Sequence, residues 1–82
     1  MTSKNIVGGN IRRIRIEKGM TVHKLAAALP PSAILSSGEI AEIEVGTGKI
    51  YDYELWGVAQ ALGVSIDALF LTPQKNVAKS RK

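Results

Sequence analysis

The feature that most constrains this chain is its punctuation. Pro30 and Pro31 stand back to back, Gly19, Gly46, Gly48 and Gly63 fall between apolar stretches, and Pro73 follows the last of them. A proline inside a helix removes a hydrogen bond and its ring strikes the preceding turn, whereas glycine accepts the left-handed conformation found just past a helix end. No helix runs through these points. What the chain can build is a set of short helices.

Their positions follow from apolar spacing. Val7, Ile11, Ile14 and Lys18 mark a first helix that stops at Gly19. Thr21 offers an N-cap, Val22, Leu25, Ala26 and Leu29 follow at i, i+3, i+4 and i+7, and the proline pair ends this second helix. Ser36 or Ser37 caps a short third helix with Leu35, Ile40 and Ile43 as its apolar contacts and Gly46 and Gly48 as terminators. Tyr51, Leu55, Val58, Ala59 and Leu62 form a fourth stripe closed by Gly63, and Ser65 caps a fifth helix of a turn or two through Ala68, Leu69 and Phe70. The reading is all-α: one domain over residues 4–72, with paired helices at about 21–29 and 36–45. Residues 73–82 make a basic tail too poor in apolar groups to fold.

With 82 residues and 45% hydrophobic content there is room for a single modest core, and with aromatics at 5% that core must be aliphatic. On this reading Tyr53 and Trp56 cover core edges of the fourth helix. The chain has no cysteine, so neither disulfides nor thiolate metal sites are open to it, and a reducing, cytoplasmic location is expected. The N-terminus interleaves arginine with isoleucine and does not read as a secretory signal. The longest uncharged run, residues 25–38, contains both prolines and falls short of the ~20 apolar residues a membrane span requires, so no membrane partner is expected.

Charge is segregated. Residues 1–24 carry six basic groups against one acidic, residues 75–82 carry four basic and none acidic, and residues 25–74 set Lys49 against six carboxylates. The sequence offers no catalytic constellation. His23 is the one histidine and lacks partners for a metal site, and Gly-Thr-Gly-Lys at 46–49 is too short for a phosphate loop, so neither an enzyme nor a cofactor is expected.

Five short helices in about seventy residues, two of them joined by a tight connection, describe a helix-turn-helix domain. The chain also resembles the lambda-repressor-like family, also called XRE or Cro/repressor, over roughly residues 6–71. The resemblance is carried by V-x-x-x-I-R-x-I-R at 7–15, K-G-M-T at 18–21, L-A at 25–26, I-x-x-I-E-x-G at 40–46, and D-Y-E-L-x-x-V-A-x-A-L-G-V-S-I-D-A-L-F at 52–70. It implies a compact five-helix DNA-binding domain, in a member with an extended turn at residues 30–35. It further implies a small repressor-like transcription regulator that places its third helix in the major groove of double-stranded DNA, as a homodimer.

The site the resemblance implies is composite. Thr21, His23 and Lys24 open the second helix beside a phosphate. Ser36, Ser37, Gly38, Glu39 and Glu42 lie early in the third helix, toward the bases, and Thr47 and Lys49 lie in the loop that follows. Arg12 and Arg15 on the first helix add phosphate contacts, with Arg13 and Lys18 beside them. If about four cations reach phosphates, the logarithm of affinity falls against log salt with a slope near −3.6. Glu44 matches the family's I-E-x-G, where the residue is part of the scaffold.

The chain departs from the family's pattern where it should touch DNA. Val22 cannot donate a side-chain hydrogen bond to phosphate, and the third helix presents serine, glycine and two glutamates where relatives commonly place arginine, lysine or glutamine. Glutamate can accept from cytosine N4, but two acids near phosphates carry a cost. A second reading therefore stands beside the first: a module on the same fold that has lost DNA recognition and uses its acidic third helix on a basic protein partner. Ile16 and Leu71, expected to be exposed, hint at a partner surface.

Overall fold

The computed structural model describes residues 4–71, so the basic tail expected at 73–82 lies outside the described residues. Four α-helices are present: α1 (Gly8–Glu17), α2 (Val22–Ala28), α3 (Ser37–Glu44) and α4 (Asp52–Leu62). Two 3-10 helices, Pro31–Ala33 and Ile66–Phe70, complete the fold, and no strand occurs among the described residues. None of these helices is long and apolar enough to cross a membrane.

The expected count of five α-helices is corrected to four. The segment after Ser65 forms in its predicted place, with Ser65 Oγ accepting from the Ala68 amide at 3.3 Å, but its backbone closes with the tighter i to i+3 bonds. Five residues are too few to offset the cost of nucleating a longer ladder, and 3-10 geometry satisfies the ends with fewer fixed residues.

The predicted helix ends are where the glycines put them. Gly19 and Gly63 adopt φ of +71° and +72°. Behind each, two amides turn back onto the last helical carbonyls: Gly19 to Ile16 and Met20 to Arg15 after α1, Gly63 to Gln60 and Val64 to Ala59 after α4. The left-handed residue brings these amides into reach at no steric cost.

The largest fully buried side chains are Ile11, Leu25, Ile40, Val58 and Leu69, one from each α-helix and one from the C-terminal 3-10 helix. The core is aliphatic, as the scarcity of aromatics required. Tyr53 and Trp56 do not cover its edges: both are exposed, and the Tyr53 ring stacks on that of Tyr51 with centroids 5.9 Å apart. Their helix turns Val58, Ala59 and Leu62 into the core and carries the aromatics off that stripe.

Three polar side chains tie the helices into one unit. Asn5 Oδ1 accepts from the amides of Val7 and Gly8, while its Nδ2 donates to the carbonyls of Ile43 (3.0 Å) and Gly48 (2.7 Å), fixing the start of α1 on the end of α3. Asn10 Nδ2 donates to the Leu69 carbonyl at 2.8 Å and holds the C-terminal 3-10 helix on α1. Arg15 pairs with Glu44 across the α1–α3 contact.

Candidate nucleic-acid interface

α2 and α3 pack against each other and are joined by the predicted extended turn. Leu29 and Pro30 take extended backbone, Pro31 opens a 3-10 turn, and Ile34 is extended again before Ser36. This insertion is anchored. Ala33 is fully buried, and a Cβ on Gly57 of α4 would overlap it, so the absence of a side chain at 57 is what lets the turn settle on the body of the domain.

Each of the paired helices opens on a side-chain cap. Thr21 Oγ1 accepts from the Lys24 amide at 3.0 Å. Ser36 makes a full capping box, with its Oγ accepting from the Glu39 amide at 3.1 Å and its own amide donating to Glu39 Oε1 at 2.8 Å. Thr21, His23, Lys24, Ser36, Gly38 and Glu39 are exposed and Ser37 is half-buried, so both helix starts face solvent. No group of three or more metal-ligating side chains forms among the described residues, and His23 stands as a surface residue.

The loop after α3 folds back on it. The amides of Thr47 and Gly48 both donate to the Glu42 carbonyl at 3.0 Å, and Thr47 Oγ1 donates to the same oxygen at 3.3 Å. Between this loop, α3 and the start of α4 lies a cleft of about 310 Å³, lined by Lys4, Glu39, Glu42, Thr47, Lys49 and Glu54 among others. Lys4 is delivered there by its amide, which donates to the Gly46 carbonyl at 2.8 Å, and by the adjoining Asn5 anchor.

The overall fold is shared. The chain is similar to the clp gene regulator ClgR from C. glutamicum, whose crystal structure it matches with a TM-score of 0.69 at 32% identity over 80% of each chain. The chain belongs to the helix-turn-helix family of gene regulators. No protein-family model matches it, and a search of curated proteins finds no match.

Within this regulator fold the sequence-predicted site divides. Thr21, His23 and Lys24 at the start of α2, Ser36, Ser37, Gly38, Glu39 and Glu42 on α3, and Thr47 and Lys49 in the loop all lie on the helix pair or in the segment folded against it. The arginines of α1 do not join them. Arg15 donates from Nε to Glu44 Oε2 at 2.7 Å, from one terminal nitrogen to Glu44 Oε1 at 3.0 Å, and from the other to the Met20 carbonyl at 2.7 Å. Its side chain is 12% exposed and that of Glu44 is 4%. The hydrogen bond to Glu44 holds the guanidinium pKa above its ordinary value. A phosphate role for Arg15 gives way to a structural one, and Glu44 is scaffold.

Arg12 is exposed, but Gly8, Arg12 and Arg15 share one row of α1, and the outer two abut Ile43 and Glu44. That sets Arg12 beside the end of α3, about 10 Å along the helix axis from Ser37. Arg13 points elsewhere, to Glu17 and the Leu71 carbonyl.

Sequence reasoning missed four residues. Lys4 lines the cleft because of a contact across half the chain, which no local pattern announces. Ile34, Ala41 and Val45 are exposed around the outward face of α3. Spacing places two of them, since Ile40 and Ile43 define the inward stripe and 41 and 45 lie off it.

Proposed function

We propose that the chain is a DNA-binding transcription regulator of the lambda-repressor-like type, a small repressor that sets the start of α3 in the major groove. The observation that carries this reading is the α2–α3 pair itself. Two capped helices pack against each other with both starts exposed, and a cleft bearing Lys4 and Lys49 adjoins α3, in a chain similar to a gene regulator. On this reading Thr21, His23 and Lys24 meet one stretch of backbone, Thr47, Lys49 and Lys4 meet the adjoining one, and Ser36, Ser37, Gly38 and Glu42 face the bases. So small a footprint gathers affinity by dimerising on two half-sites.

The rival reading, a protein-binding module with an acidic third helix, would rest on the exposed carboxylates of Glu39 and Glu42. Glu44 is buried on Arg15 and Glu39 accepts from the Ser36 amide through one oxygen, so of the exposed carboxylates of α3 Glu42 is the one with no hydrogen-bond partner among the described residues.

Fluorescence anisotropy on random-sequence duplex DNA, at low and near-physiological salt, tests the proposal. Three phosphate contacts, by Lys4, Lys24 and Lys49, correspond to a slope of about −2.7 per protomer in log affinity against log salt. Lys49→Glu is expected to weaken binding and flatten the slope. Absence of binding at low salt refutes the reading.

A further inference from the structure

α3 exposes two long polar side chains, Glu39 at its start and Glu42 on the side turned away from the buried Ile40 and Ile43. Ser37, Gly38 and Ala41 are small, and Val45 closes the row. With Glu39 and Glu44 committed, Glu42 is exposed, and the ion pairs among the described residues, Arg13–Glu17 and Arg15–Glu44, do not involve it.

Each property has a consequence in a major groove. Small residues at 37, 38 and 41 let the helix axis approach the base edges closely. A carboxylate is an acceptor only. Guanine presents two acceptors there and thymine one, so both repel it, and adenine offers its amino donor beside the N7 acceptor. Cytosine presents N4 as a donor with no acceptor in that groove, and it is the base edge a carboxylate fits. Ala41, next to Glu42, offers a methyl group of the kind that packs on a thymine methyl.

A carboxylate among phosphates also needs cations close by. Glu42 lines the same cleft as Lys4 and Lys49; Glu39 and Glu54 line it too, each with one oxygen on a backbone amide, and neither lysine takes part in the two ion pairs above. We infer that Glu42 is the specificity-determining residue of the interface, accepting from cytosine N4 in the major groove, with Ala41 on a neighbouring thymine methyl and Lys4 and Lys49 on the adjoining backbone. The inference rests on the DNA-binding reading above.

The test is selection from a random duplex library with wild type, Glu42→Ala and Glu42→Gln, followed by anisotropy on the selected site with each base substituted in turn. Wild type is expected to fix cytosine at one position per half-site and to lose roughly tenfold in affinity when it is replaced. Glu42→Ala abolishes that preference while binding random DNA more tightly, because a negative charge has left the interface. Glu42→Gln moves the preference to adenine, whose N6 and N7 match an amide. Glu42 is exposed on a helix, and unchanged thermal melts of both variants show that the fold is intact. Sites without a fixed cytosine, or the same preference in all three proteins, overturn the inference and leave the regulator reading standing. Failure of wild type to bind any duplex at low salt overturns both.

Discussion

Removing the Glu44 carboxylate isolates the one buried charge pair that bridges α1 and α3. In Glu44→Ala the Arg15 guanidinium keeps its hydrogen bond to Met20 but loses both bonds to Glu44, at a site where its side chain is 12% exposed. Leaving one member of a buried pair uncompensated costs about 3–5 kcal/mol. A chain of this length has roughly 4–12 kcal/mol of total stability, so the variant sits near the edge of folding. By the usual scaling its melting midpoint falls by about 12–40 °C, which circular dichroism and urea titration measure directly. The double variant Arg15→Met with Glu44→Leu removes both charges and fills the space with apolar groups, so it should recover most of the loss. The sign of the pH dependence is also set. Arg15 has a raised pKa when folded, so its contribution is complete at every pH below its ordinary value and is lost only where arginine itself deprotonates. The deficit of Glu44→Ala should thus hold steady between about pH 7 and 10. A loss under about 1 kcal/mol would place the pair with ordinary surface salt bridges, and a double variant as unstable as the summed singles would refute the account of uncompensated charge.

Two further substitutions separate local preference from packing. Gly57→Ala gains about 1 kcal/mol of helix propensity but drives a methyl group into Ala33, an overpacking cost of about 1–3 kcal/mol, so a net loss in urea titration is expected. Gly9→Ala on α1 meets nothing within 4 Å and should gain roughly 0.5–1 kcal/mol; a gain at both sites would show that the turn yields freely. Asn5→Ala removes the cap of α1 and both bonds to the α3–α4 region, at a cost of about 1–3 kcal/mol. It also releases Lys4 from the cleft, so DNA affinity should fall by more than the unfolded fraction explains when both are measured on one sample.

What could be read from the sequence and what could not divide along a physical line. Helix ends are local: Thr21, Ser36 and Ser65 cap amides three residues ahead, and Gly19 and Gly63 turn the chain within a few bonds. Spacing alone locates such features, and the family resemblance adds the extended turn, which Gly57 accommodates. The roles of charges are not local. Arg12, Arg13 and Arg15 are alike in composition and lie within about one turn, yet one is exposed beside the end of α3, one reaches toward Leu71 and one pairs with Glu44, because successive residues leave the helix about 100° apart and meet different neighbours.

The same distinction explains the third helix. As a string it holds three glutamates, which look ill suited to a polyanion. In the fold, one oxygen of the exposed Glu39 accepts from the Ser36 amide at the helix start, where negative charge is favourable, and Glu44 is buried on Arg15. Of the three acids only Glu44 is withdrawn into the domain, and Glu39 is tied by one oxygen to the helix start. What stands in the row of small residues is Glu42, and the place of that group says more about a partner than the net charge of the helix.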